Sequence, residues 1–126
     1  MQLVRSPHGS MQRMIKHMSH EDWVTSVRAR AVEICNGVLG GSIDVLDACY
    51  QLASLRTDME IEEGDEDFRV FAFISSETDK VPSGQGLKYW APAALASLEP
   101  EIAAAVEWAT PMALPACRSV VERFGP

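Results

Sequence analysis

The feature that most constrains this fold is a helical repeat of apolar residues that begins near Ser19. Ser19 precedes two early acidic residues and has Asp22 three positions on, an arrangement much like a helix N-terminal capping box. Apolar residues then recur at the spacing of one face of a helix: Val24, Val27, Ala31, Ile34, Cys35 and Val38. A first helix is therefore predicted to begin at residue 19 or 20.

Glycines interrupt this repeat at Gly40 and Gly41, and a second apolar stripe follows at once. Ser42 is predicted to cap the second helix, with Asp44 in its first turn. The apolar positions of that helix are Leu46, Cys49, Tyr50 and Ala53. Because the Gly-Gly-Ser connection is so short, the two helices are predicted to pack as an antiparallel hairpin.

Acidic residues are concentrated in the middle of the chain. The net charge is −7, and residues 58–101 carry eleven acidic and three basic side chains, which is −8. Such a charge argues against nucleic-acid binding, which needs clustered Lys and Arg. Residues 58–67, hereafter the acidic segment, are predicted to form a loop and to bind a protein partner. Its carboxylates are Asp58, Glu60, Glu62, Glu63, Asp65, Glu66 and Asp67.

The stretch that follows the acidic segment has the composition of a strand but is predicted to be a helix. Its residues Phe68, Val70, Phe71, Phe73 and Ile74 are types that strands enrich, although they do not alternate strictly. Nothing else in the chain reads as a strand, so a lone strand would leave its backbone groups unpaired. A helix over about residues 66–79 is therefore expected.

Proline and threonine divide the last third of the chain in this interpretation. Pro92 is predicted to occupy the first position of a helix, and Pro100 to restart it. Thr110 and Pro111 are predicted to cap and open a final helix, with a kink or a late start at Pro115. The chain is thus predicted to be all-α, a bundle of four to five helices forming one domain over residues 19–126, after a disordered or vector-derived segment at residues 1–18.

The residues that could react or bind a metal ion do not form a recognisable site. Cys35, Cys49 and Cys117 are widely spaced in apolar contexts and are expected to be reduced core residues. The pair His17 and His20 is interpreted as part of a helix start. Residues 58–69 imitate a calcium loop but lack its glycine and its closing glutamate. No cofactor, metal or catalytic residue is therefore predicted.

An alternative hypothesis gathers polar side chains into a small pocket. Glu77 and Asp79 could act as paired carboxylates if a pocket raised the pKa of one of them. The residues assigned to this pocket, or else to a structural motif, are Arg56, Ser76, Glu77, Thr78, Asp79 and Trp90. Two of the three tryptophans are expected to pack in the core, and one that is exposed near the acidic segment would be an interface candidate.

One pattern in the sequence resembles a family of small bacterial proteins. It runs Asp67-Phe68-x-x-Phe71-x-x-Ile74-x-Ser76-Glu77-Thr78-Asp79-x-x-Pro82-x-Gly84 and continues as Trp90-x-Pro92-x-Ala94-Leu95. Some members of that family accompany genes for secreted toxins. The resemblance therefore implies an immunity protein that neutralises a bacterial toxin.

The leading functional hypothesis is a cytoplasmic, non-catalytic inhibitor of a basic protein. No apolar run approaches the roughly 18 residues of a membrane span, and residues 1–20 lack the apolar stretch of a signal peptide. Two other classes stay open at this point. One is a small enzyme or ligand-binding domain that uses Glu77, Asp79 and Arg56, and the other is a homo-oligomeric structural module.

Overall fold

Four α-helices form the fold. A computed structural model describes residues 19–126, the side chain of Gln85 excepted. Its elements are α1 (His20–Leu39), α2 (Val45–Leu55), α3 (Glu66–Glu77), a 3₁₀ helix (Gly84–Tyr89) and α4 (Pro92–Phe124). Residues 19–126 contain no strand, so the predicted all-α bundle is confirmed. The expectation for residues 1–18 lies outside the described residues.

Capping and apolar spacing explain α1. The hydroxyl of Ser19 accepts a hydrogen bond from the backbone N–H of Asp22 at 3.0 Å, as the sequence predicts. All six residues of the predicted stripe are buried, so this helix presents one apolar face to the core.

The connection to α2 follows the predicted hairpin with a different cap. Asp44, rather than Ser42, caps α2 by accepting from the backbone N–H of Asp47 at 2.9 Å. The hydroxyl of Ser42 instead donates back to the carbonyl of Gly37 in α1, at 3.3 Å. Tyr50 is 64 % exposed, contrary to its predicted place in the stripe. Leu52, which was not among the predicted apolar positions, is fully buried.

The strand-like stretch forms α3, as predicted. Phe68, Phe71 and Ile74 are buried, and the two phenylalanine rings meet edge to face with centroids 5.2 Å apart. The helix ends at Glu77, two residues before the predicted end. At this end of the helix, the backbone N–H and the hydroxyl of Thr78 both donate to the carbonyl of Ile74, at 3.0 and 2.7 Å.

The predicted division of the last third is wrong, because α4 is a single helix that contains Pro100, Pro111 and Pro115. Pro92 does stand at its start. The three internal prolines all lie at exposed positions. There the carbonyls that lose a helical donor can bond to water, so the helix continues. The Thr110 hydroxyl donates to the carbonyl of Val106 at 2.6 Å instead of capping a new helix.

The core lies between all four helices, but only the second half of α4 contributes buried residues to it. The most extensive helix interfaces join α1 to α4 and α2 to α3. The buried residues of α4 are Ala109, Ala113, Ala116, Cys117 and Val120. Residues 92–108 of the same helix contain none, so this half of α4 extends past the core.

The three cysteines meet in this core as buried free thiols, which confirms the expected core position. A hydrogen bond with Cys117, together with burial, raises the pKa of Cys35. Burial raises the pKa of Cys49 to about 12. The thiols of Cys35 and Cys49 therefore stay protonated near neutral pH and act as small apolar side chains.

Candidate protein-interaction surfaces

The acidic segment is fastened to the core by two apolar side chains that sequence reasoning overlooked. Met59 is fully buried and Ile61 is 7 % exposed. The acids that alternate with them, Asp58, Glu60 and Glu62, are all exposed. The alternation of apolar and acidic residues over positions 58–62 was the available signal. The first half of the segment is therefore a fixed part of the domain, and its three carboxylates face outward.

Two arginines hold the backbone of this segment in place. Arg28 of α1 donates through Nε and Nη2 to the carbonyl of Met59, at 3.1 and 2.9 Å. Arg56 donates through Nη1 to the carbonyl of Ile61 at 2.8 Å. Both arginines thus bond to main-chain oxygens rather than to the neighbouring carboxylates.

The end of the acidic segment is tied to the last turns of α4. Asp65 caps α3 by accepting from the backbone N–H groups of Asp67 and Phe68, at 3.1 and 3.2 Å. Arg123 donates to Asp65 at 2.7 Å and to Asp67 at 2.8 Å, and the hydroxyl of Ser119 donates to Asp67 at 2.6 Å. The Arg123 guanidinium holds the pKa of Asp65 below its usual range.

The seven predicted binding carboxylates therefore fall into two groups. The side chains of Asp65 and Asp67 are only 11 % and 16 % exposed and serve the fold through Arg123. Glu60 is exposed and contacts the imidazole of His20. The carboxylates that stand outside the Arg123 bridge are Asp58, Glu60, Glu62, Glu63 and Glu66, all of them exposed.

The residues of the alternative pocket are only partly brought together. Ser76, Thr78 and Asp79 line an open cleft of about 450 Å³ between α2, the end of α3 and the following loop. Glu77 lines a different groove, and Arg56 bonds to Ile61 instead. The Thr78 hydroxyl is already used within α3. The arrangement of Glu77, Asp79 and Arg56 around one pocket is therefore not formed.

Aromatic side chains are more exposed than predicted. Trp23, Trp90 and Trp108 are 46 %, 42 % and 42 % exposed, so the expectation that two tryptophans pack in the core is wrong. Trp108 instead lies against Phe73 of α3, which is 50 % exposed, with ring centroids 5.6 Å apart. The sequence could indicate aromatic residues but not which side of α4 would face the core.

A groove of about 380 Å³ adjoins this aromatic pair, and we name it the Trp108 groove. Its lining residues are Glu77, Thr78, Val81, Ala104, Ala105 and Trp108. The groove sits where α4 leaves the core and passes the end of α3. Its lining combines four apolar residues with the hydroxyl of Thr78 and the carboxylate of Glu77.

No family model, curated protein or solved structure matches this chain. The resemblance to a family of small bacterial proteins thus stays a prediction. Among the helices of residues 19–126, none has the length and apolar content needed to cross a membrane. Within the same residues, no group of three or more His, Cys, Asp or Glu side chains is placed to hold a metal ion.

Proposed function

We propose that this protein is a cytoplasmic, non-catalytic binding protein that neutralises a basic protein, as an immunity protein does for a bacterial toxin. One observation carries the proposal. Five exposed carboxylates stand on a segment whose backbone is fixed by buried Met59 and Ile61 and by Arg28 and Arg56.

Rigidity matters because a binding surface that is ordered beforehand loses less entropy when a partner arrives. Charge matters in addition, because a surface of one sign steers a partner of the other sign and raises its association rate. Residues 1–18 carry three basic and no acidic side chains, so residues 19–126 have a net charge of −10. A toxin with a cationic face, such as a nuclease that binds phosphates, is the chemistry that fits this surface.

The test is a binding titration with the protein encoded by the neighbouring gene, carried out at low and high salt. The double variant Glu62→Lys with Glu63→Lys should weaken binding by about tenfold or more, mainly through slower association. Its matched control is Glu33→Lys with Glu122→Lys, which reverses two exposed acids on α1 and α4. Equal affinity for both double variants would contradict the proposed surface.

Asp65 and Asp67 are poor positions for that test. Reversing either charge would break the bridge to Arg123, so a weaker complex could reflect a weaker fold. The exposed pair Glu62 and Glu63 separates binding from stability, because neither forms part of that bridge.

A further inference from the structure

The apolar stripe of α4 continues beyond the core it serves. Its core positions extend toward the start of the helix at steps of three and four residues, through Ala105, Ile102, Leu98 and Leu95. These four side chains are only half-buried. The helix therefore presents an apolar side for several turns, and the Trp108 groove lies where this side meets α3.

The groove has the composition of a docking site for an apolar side chain. Four of its six lining residues are apolar: the small Ala104 and Ala105, which let another chain approach closely, and the larger Val81 and Trp108. Phe73, which is not among the lining residues, packs against the indole of Trp108 with the rings tilted by 54°. Half-exposed tryptophans of this kind dominate the energetics of protein interfaces.

The charges around the groove decide what kind of partner fits. Glu77 lines the groove, and Glu101 lies one turn before Ala104 and Ala105 on the same side of α4. The loop after α3 carries one acid and one cation, Asp79 and Lys80, whose charges offset each other. The rim is therefore acidic, and a second copy of this chain would bring like charges together.

We propose that the Trp108 groove docks an apolar side chain of a basic polypeptide segment, with the lysines or arginines of that segment facing Glu77 and Glu101. The inference deepens the proposed function, on which it rests for the positive charge of the partner. It adds a second contact, separate from the acidic segment, that supplies the apolar anchor which carboxylates alone lack. Charge then steers the partner, and the groove slows its release.

The experiment uses the full chain and a fluorescein-labelled amphipathic peptide of lysine and leucine as the probe. Anisotropy gives the affinity, and the three tryptophan indole N–H signals in a ¹⁵N–¹H spectrum give the location. The decisive variant is Ala104→Lys, which fills the groove and opposes the charge of the peptide. Its matched control is Ala103→Lys, because Ala103 is also exposed but lies outside the groove lining.

The expected results are a shift of the Trp108 indole signal and a loss of affinity of about tenfold in Ala104→Lys. Affinity in Ala103→Lys and in a peptide titration of Glu62→Lys with Glu63→Lys should stay within about threefold of the original, the effect of a surface change away from the contact. Trp108→Ala should weaken binding as Ala104→Lys does.

Three outcomes would overturn the inference. Equal binding by a peptide with serine in place of leucine would show that charge alone acts. Equal loss in Ala103→Lys and Ala104→Lys, or loss only in the Glu62 and Glu63 reversal, would assign the peptide to another surface and leave the proposed function standing. Contacts of the Trp108 indole with residues 1–18, or with a second copy in a concentration-dependent dimer, would identify a different occupant.

Discussion

Replacing Arg123 by glutamine removes the guanidinium that joins the end of α4 to the start of α3. Arg123 bonds to Asp65 and Asp67 through three contacts of 2.7 to 3.1 Å. Without it, two carboxylates of like charge remain side by side. Asp65 still bonds to two backbone N–H groups, and Asp67 still accepts from Ser119, so neither carboxylate is left without a donor.

The expected loss of stability in Arg123→Gln follows from the exposure of the three side chains in the bridge. The Arg123 side chain is 37 % exposed, whereas the carboxylates are 11 % and 16 % exposed. Exposed ion pairs contribute about 0–1 kcal/mol, and breaking a buried pair costs about 3–5 kcal/mol. This bridge lies between those cases, so the free energy of unfolding should fall by about 2 kcal/mol and Tm by about 8 °C.

Urea denaturation measures this change, with Arg118→Gln as the matched control. Arg118 is an exposed arginine on the same helix, and its replacement should alter stability by less than about 0.5 kcal/mol. The pH dependence gives a second readout. Because Arg123 lowers the pKa of folded Asp65, this carboxylate stabilises the fold above its unfolded pKa of about 3.9, and that stability disappears as pH falls through the lower folded pKa.

Arg123→Gln should therefore show a smaller loss of stability between about pH 5 and pH 2 than the original chain does. Equal unfolding free energies for Arg123→Gln and Arg118→Gln, together with the same acid dependence as the unaltered chain, would refute the reasoning. The bridge would then be a surface contact without energetic weight.

Two substitutions and one measurement of thiol reactivity test other parts of the fold. Gly84→Ala should lower the free energy of unfolding by about 2 kcal/mol, because Gly84 has a φ of 54° and an added Cβ would lie 2.5 Å from the carboxyl carbon of Asp47. Gly86→Ala is its control in the same urea titration, since nothing lies within 4 Å of an added Cβ there. Pro115→Ala should raise the melting temperature in calorimetry, because it restores a helical N–H donor at an exposed site; no rise would mean that the helix has already adapted to the ring. The thiol of Cys49, whose pKa burial raises to about 12, should react with a disulfide reagent at pH 8 only as fast as the chain unfolds, and immediate reaction in native buffer would contradict its burial.

Signals in the sequence were sufficient to predict three of the four helices of residues 19–126. Ser19 and the apolar spacing after it predict α1 from neighbours in the chain. The need to pair every backbone group predicts that the Phe68 to Ile74 stretch is helical, because no other stretch of the chain has the pattern of a strand. Elements of this kind can be read without knowing what packs against them.

The parts that were missed depend on which side of a helix meets the core. Pro111 and Pro115 read as a helix boundary, yet on the outer side of α4 they are tolerated. Arg28 and Arg123 act on residues 31 to 58 positions away, a pairing that no local pattern indicates. The carboxylates of the acidic segment divide between fold and surface, and this division depends on Arg123 of α4, which is distant in the sequence.

The extensive contact between α1 and α4 forms late during synthesis, because α4 is the last of the four helices to be made. When about residue 100 has been synthesised, α1 to α3 are present but the buried side of α4, from Ala109 to Val120, is not. Cys35 of α1 then lacks Cys117, its hydrogen-bond partner on that helix, and Asp65 and Asp67 lack Arg123. During this interval the nascent chain combines an open apolar face with its highest density of negative charge, and repulsion between such chains opposes their aggregation until the last helix closes the core.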